Sequence, residues 1–436
     1  MTTRSPLLRS RLERASQATL TLYAVAVAFS TYFCMYAFRR PFGAAEYRGY
    51  ELGGLDLKSA LVISQVIGYT LSKYLGIKVC SEATPQRRVV LLVTLILAAE
   101  AALVLFGLVP PRWWVVAMFL NGLPLGMIWG LVVSYLEGRR TSELLLAGLS
   151  CSFIVSSGAA KAVGRSLLTD YQVSEAWMPA SVGAIFLLPY MVSVWLLRQV
   201  PEPTAEDTAA RVERAPMDHR DRSAFIRHFL PGLVLLFAFY FFLTAFRDLR
   251  DNFSAEIFVQ LGYGEEPRVF VQTELPVAFG VMAALAALNL IRDNRWGLVG
   301  TYAIMVSGCL LLGGATLLYD RALISGVTWM VLVGLGAYLA YVPYGSVLFD
   351  RLIASTQVAG TAVFAIYVAD ALGYTGSVGV LLYKNSAHRT IGWLDFMRGF
   401  SYLMCVLGVA CLGLSLLYFW ARHGHGRHGR QPQSLT

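Results

Sequence analysis

Charge is what this 436-residue chain has least of: Asp, Glu, Lys and Arg make up 14% of it, against 56% hydrophobic residues. Soluble domains carry about a quarter charged residues, so the ordinary soluble class is excluded. Cysteine is also sparse. Cys34, Cys80, Cys151, Cys309, Cys405 and Cys411 lie in or beside apolar stretches without metal-type spacing. They imply neither a disulfide framework nor a zinc site. There is no metal motif, no nucleophile elbow and no phosphate-cradling glycine loop, so no enzyme chemistry and no cofactor is expected. Helix packing accounts for the glycines. The first apolar segment is too long for a signal peptide and has no small-residue cleavage site, so it is expected to stay as a helix.

What the chain has in abundance is apolar sequence in long runs. They fall at 20–38, 57–79, 89–109, 113–136, 144–168 and 177–197, then at 229–246, 269–291, 297–319, 323–349, 358–383 and 396–420. A bilayer core takes about 20 apolar residues per helix. The expected fold is therefore an all-α polytopic membrane protein with twelve transmembrane helices in two six-helix bundles. Residues 1–198 would form the first bundle and 229–421 the second. A linker at 199–228, rich in charge, Ala, Pro and Thr, would join them, with a short amphipathic helix near 220–228. Residues 422–436 interleave His, Gly and Arg and are expected to form a disordered cationic tail.

The formal charge of +9 comes from basic residues that alternate between sides. Arg4, Arg9, Arg11, Arg14, Arg87, Arg88, Arg139, Arg140, Arg292, Arg295 and Arg351 fall on one side with the linker and tail. The positive-inside rule makes that side the cytoplasm and puts both termini there. This distribution is a topology signal, so no nucleic-acid partner is expected.

Against that pattern, four arginines on the opposite side stand out. Tyr36–Phe42 reads Tyr-Ala-Phe-Arg-Arg-Pro-Phe and closes the first apolar run. A guanidinium near the hydrocarbon core costs about 2.5–3.5 kcal/mol on insertion scales. Arg39 is therefore a candidate anion ligand, with Tyr36 beside it. Arg40 points about 100° away and is the better candidate to snorkel. Arg247 and Arg250 lie three apart with Asp248 and Asp251 among them. By themselves they form a helix-capping ion-pair cluster on the outer side, with Arg250 as a structural partner.

Further cations and three carboxylates lie inside the runs. Lys73 is either a third positive charge or a snorkelling side chain. Lys161 and Arg165, four apart, either extend a positive lining or mark the membrane interface. Glu274 and Asp370 are candidates for balancing the arginines or carrying a coupled proton, and Glu100 for pairing within its own bundle. By themselves Tyr32, Trp129 and Tyr341 read as side chains that pack or anchor. Asn121 and Gln65 have the same ambiguity between substrate and a neighbouring helix.

The halves echo each other weakly. Gly122, Gly126 and Gly130 precede Glu137 and Arg139; Gly334, Gly336 and Gly345 precede Asp350 and Arg351. Six helices, a linker and six helices resemble the major facilitator superfamily, whose halves rock around a midplane site. Within it, three stretches are similar to motifs of the organophosphate:phosphate antiporter family. They are Tyr36-Ala37-Phe38-Arg39-Arg40-Pro41-Phe42, Ser72-Lys73-Tyr74 with Gly76 and Ser81, and Arg247 followed by Asp251-Asn252-Phe253-Ser254. The resemblance implies that Arg39 and Arg247, one from each half, grip a phosphate group, with Lys73 adding charge. It also implies a histidine in the fifth helix, where this chain has Phe153.

The expectation is a secondary transporter that moves a small organic anion, most simply an organophosphate, by alternating access. Phosphate exchange and proton coupling both stay open. The alternative is a transporter-like sensor that binds an anion without moving it. The chain is expected to work as a monomer in the bilayer.

Overall fold

A computed structural model describes residues 6–82, 84–136, 142–202, 219–291, 293–349, 351–352, 362–387 and 390–425. Part of the expected linker (203–218), the tail from 426, and Arg4, Glu137, Arg139, Arg140, Arg292 and Asp350 lie outside them.

The described chain is almost entirely helical. A short helix α1 (Pro6–Glu13) precedes α2 (Gln17–Tyr36), α3 (Leu57–Glu82), α4 (Pro85–Leu108), α5 (Trp114–Leu125), α6 (Ile128–Val133), α7 (Ser142–Thr169) and α8 (Met178–Leu197). Then come α9 (His219–Asn252), α10 (Ser254–Gln260), α11 (Val269–Asn289), α12 (Asn294–Asp320), α13 (Gly326–Pro343), α14 (Ala362–Ala387) and α15 (Trp393–His425). A two-stranded hairpin, β1 (Glu51–Leu52) and β2 (Leu55–Asp56), lies before α3.

Nine spans among the described residues are long and apolar enough to cross a membrane. Three further helices, α3, α7 and α14, have 26, 28 and 26 residues. They carry ionisable side chains such as Lys58, Lys73, Lys161, Asp370 and Lys384. The architecture is that of an all-helical, multi-pass membrane protein.

Local chemistry starts and stops these helices. Ser16 caps α2 by accepting from the Thr19 N–H, Thr84 caps α4 ahead of Pro85, and Asp293 and Ser325 cap α12 and α13. Each side chain satisfies one of the donors a helix start leaves open. Pro124 interrupts the fourth span, which ends as α5 at Leu125 and resumes as α6 at Ile128. A proline cannot supply the ladder N–H. After Pro343, α13 continues as a single π-helical turn, Tyr344–Leu348.

The chain divides into two compact units. The first holds Met1–Val212, Leu249–Ala278 and Val378–Asp395. In it α2 packs on α7 and α8, while α3 and α4 pack on α5. Glycine makes the α3–α5 approach possible: a Cβ on Gly122 would collide with the Gln65 carbonyl oxygen. Small residues serve this purpose between helices in lipid.

The second unit holds Glu213–Asp248, Phe279–Ser377 and Phe396–Thr436. Here α12 packs on α13, and Phe229 and Phe246 of α9 meet Phe419 and Phe400 of α15. Large apolar side chains such as Ile185, Leu188, Phe279, Val406 and Leu417 are exposed, as expected of surfaces whose solvent is lipid.

Candidate functional site

In the first unit, α2 ends at Tyr36 and the chain turns through residues 37–40 before Pro41 opens a 3₁₀ turn. The carbonyls of this frayed end need partners. Asn121 donates to the Phe38 carbonyl at 3.0 Å and to the Ala99 carbonyl at 3.1 Å. Gln65 donates to the Arg39 carbonyl at 3.0 Å and to the Asn121 side-chain oxygen at 2.8 Å. Of the two uses open to Asn121 and Gln65 in the sequence, both serve the neighbouring helix.

That pinned backbone holds Arg39, which is only 5% exposed. Its guanidinium carbon lies 3.8 Å from the Tyr69 ring centre and 5.8 Å from that of Tyr36. Tyr32 meets Tyr36 at 5.5 Å and Trp129 at 4.8 Å. Lys73, half-buried, brings its ammonium to 5.5 Å from the Tyr69 ring. Trp129 is followed at 6.3 Å by Phe153, the residue standing where the resemblance implies histidine. The result is an aromatic box carrying two cations, and the rings favour positive charge over their faces.

The same unit contains a second, denser set of charges where α2 ends and α3 begins, called the far end below. Asp251 is its hub. Arg40 reaches the Asp251 carboxylate at 3.0 Å and also donates to the Asn252 side chain. Lys161 reaches it at 2.7 Å and donates to Ser254 at 3.0 Å, and Ser157 donates to the same carboxylate.

Beside this hub, Lys58 pairs with Glu256 at 2.6 Å and donates to the Gly43 carbonyl at 3.0 Å. Arg250 pairs with Glu274 at 2.8 Å. Phe253 stacks on Trp393 with ring centres 3.6 Å apart, Lys58 lies 5.5 Å from the Phe253 ring and Lys384 4.2 Å from the Trp393 ring. Gly158 lets α7 come close enough, since a Cβ there would sit 2.5 Å from the Phe270 carbonyl oxygen.

Burial pushes the Glu256 carboxyl up to about 7, with Lys58 drawing it back. Burial likewise raises the Tyr47 hydroxyl well above its usual value.

In the second unit Arg247 mirrors Arg39 chemically. Its guanidinium carbon lies 4.0 Å from the Tyr341 ring centre. It also pairs with the Asp248 carboxylate at 2.8 Å, and Ser377 donates to the other Asp248 oxygen at 2.8 Å. Tyr240 stacks on Tyr341 at 5.4 Å and on Tyr344 at 4.3 Å. It donates its hydroxyl proton to Asp370 at 2.9 Å.

The sequence-derived residues thus separate into groups. Arg39, Tyr36 and Lys73 share the aromatic box of the first unit, while Lys161, Arg250 and Glu274 belong to the far-end ion pairs. Arg247 and Asp370 lie on the tyrosine cluster of the second unit. Glu100 stands apart: among the described residues its Oε2 is buried without a hydrogen-bond partner, against Gly183.

Arg40 is corrected. It is 6% exposed and ion-paired rather than snorkelling, because Asp251 satisfies it inside the protein. Tyr69, Lys58 and Glu256 were not singled out from the sequence. Tyr69 had a signal, lying one turn before Lys73 on the same helical face. Lys58 opens an apolar run, and Glu256 lies just beyond the seventh span; neither has a local pattern that marks it.

A family model described as a family of unknown function, DUF5690, matches residues 41–422. No curated protein matches the chain. Among solved structures, it is similar to a point mutant of the nucleoside transporter NupG at 12% identity, covering 92% of this chain and 100% of that one, with a TM-score of 0.59. It is also similar to a D-xylose-proton symporter at 16% identity, covering 93% and 98%, again with a TM-score of 0.59. At these identities the likeness shows the fold, which is of the major facilitator type.

Proposed function

The chain belongs to the DUF5690 family of unknown function, and on that premise we propose that it is a secondary transporter of a small organic anion. The observation that carries this proposal is the pair of guanidinium groups resting on tyrosine rings. Arg39 lies on Tyr69 and Arg247 on Tyr341, at 3.8 and 4.0 Å. Arginine stays charged in a dry site and offers parallel donors that match phosphate or carboxylate. The surrounding aromatics suit a ring-bearing substrate, in keeping with the nucleoside and xylose carriers that share the fold.

The substrate class that combines both features is a phosphorylated metabolite. Arg39, Arg247 and Lys73 bind its anionic group, and Tyr36 packs on its body. Bound anion shifts the conformational equilibrium only through different affinity for the states, which exchange for phosphate or a coupled proton then drives in cycles. Asp370, held by Tyr240, is the carboxyl proposed to carry that proton. The protein works as a monomer in the bacterial inner membrane, with both termini in the cytoplasm.

The test is a thermal-shift screen of purified protein against phosphate, glycerol phosphate, sugar phosphates and dicarboxylates, followed by flux in proteoliposomes. Stabilisation by an anion, lost in both Arg39→Ala and Arg247→Ala, is expected. Stabilisation by a neutral nucleoside or pentose alone would overturn the anion assignment. Binding without flux would identify an anion sensor instead.

A further inference from the structure

On its exposed flank the first unit carries a groove that neither the aromatic box nor the ion pairs use. It lies between α7 and the first half of α11, both within that unit. The two backbones touch where Gly158 faces the Phe270 carbonyl. Toward the far end, a groove of about 640 Å³ runs between them. Ala162 and Val163 form one wall, and Pro267 and Val271 the other. None of these side chains can hydrogen-bond, so the walls suit hydrocarbon. Tyr171, just past the end of α7, is 73% exposed and marks the level where lipid meets water, a place tyrosine favours.

The mouth of the groove is charged. Asp170 follows α7 and Arg268 precedes α11, and both line it. These opposite charges are not paired with each other. Asp170 accepts from the Ser166 and Thr169 hydroxyls, and Arg268 has no ion pair among the described residues.

One turn deeper, the Gln272 N–H bonds the Arg268 carbonyl, which sets the two side chains on one face. Gln272 is exposed on a membrane span, and among the described residues its amide has no hydrogen-bond partner. An amide that faces hydrocarbon without a partner is costly. Snorkelling accounts for an arginine at the end of a span. It does not account for a glutamine one turn deeper.

We propose that the groove between α7 and α11 binds one phospholipid with a primary-amine headgroup, taken from the leaflet at the far end. Arg268 holds the phosphate, which matches its forked donors. Asp170, oriented by Ser166 and Thr169, accepts from the ammonium; a quaternary headgroup has no N–H to give it. Gln272, about 6 Å further along the helix axis, donates to an ester carbonyl of the glycerol. One acyl chain lies along Ala162, Val163 and Val271. Each polar group at the mouth thus gains the partner it lacks. The lipid bridges α7 and α11 whether the protein is a carrier or a sensor.

The test is native mass spectrometry of the full-length protein released from nanodiscs. The discs contain phosphatidylethanolamine, phosphatidylcholine and phosphatidylglycerol in equal parts, with the same acyl chains. The natural chain should retain phosphatidylethanolamine in preference to the other two. Arg268→Ala should lower that retention by about tenfold, the loss expected for a hydrogen bond to a charged group. Asp170→Asn should still retain a phospholipid but lose the preference for ethanolamine over choline. Gln272→Leu should weaken all three headgroups alike, to a smaller extent. Arg112→Ala removes an exposed arginine ahead of α5, outside the groove, and should behave as the natural chain.

Equal retention of the three headgroups by the natural chain would overturn the site, as would unchanged retention in Arg268→Ala. An equal loss in Arg112→Ala would also overturn it, by reducing it to general attraction between basic side chains and lipid. Displacement of the lipid by inorganic phosphate would identify a site for soluble anions instead. If Arg268→Ala does not fold, Asp170→Asn decides: a preserved ethanolamine preference in that variant refutes the proposal.

Discussion

Arg39 and Tyr69 form a cation–ring pair at 3.8 Å, and the backbone of Arg39 is pinned independently by Gln65. The side chain is thus placed by one residue of α3 and the main chain by another, one turn away. This double hold makes Arg39 a rigid cation rather than a mobile one.

Arg39→Ala and Arg247→Ala should each weaken anion binding by at least about tenfold, since a hydrogen bond to a charged group is worth about 1.5–3 kcal/mol. Tyr69→Phe should retain most of the affinity and Tyr69→Leu should lose more, because a desolvated cation–π contact contributes up to about 2 kcal/mol. Titration calorimetry with the anion selected by the thermal-shift screen checks the order. Equal affinities for the phenylalanine and leucine variants would show that the ring face is irrelevant.

Gly122→Ala should lower the melting temperature, since the added carbon meets the backbone of α3 and overpacking costs about 1–3 kcal/mol. Gly314→Ala, where nothing lies within 4 Å, should be near neutral. Thermal unfolding monitored in detergent compares the two.

Gly183 and Glu100 should be energetically coupled. A Cβ on Gly183 would collide with the Glu100 Oε2 atom, so Gly183→Ala should be destabilising in the natural chain. In a Glu100→Ala background the clash is gone and most of the penalty should disappear. Contacting residues depart from additivity by about 0.5–3 kcal/mol, and the double-mutant cycle reads that difference; strict additivity would place the Glu100 carboxyl elsewhere.

Glu256 should give stability a downward slope with pH. Its folded carboxyl keeps a proton up to about 7, while the unfolded one loses it in the usual glutamate range. Between those two values the folded state binds more protons, so stability falls as pH rises through the window and levels off above it. Melting temperatures taken across that window, from the usual glutamate range to above neutrality, should show this decline, and Glu256→Gln should flatten it.

The sequence by itself determined the class of fold, because span length and apolar content are local properties that a bilayer enforces segment by segment. It also picked out Arg39 and Arg247, whose charge conflicts with their apolar surroundings. Tertiary structure decided where each charge goes. Arg40 and Arg39 are adjacent in sequence, yet one meets Asp251, more than two hundred residues away, and the other meets Tyr69. Glu274 was legible as a carboxylate that balances an arginine, and it meets Arg250, but the pairing of Asp251 with Arg40 and Lys161 and of Lys58 with Glu256 was out of reach for the same reason. Pairing between charges depends on distances of a few ångströms between helices, and no periodicity within a single helix encodes them.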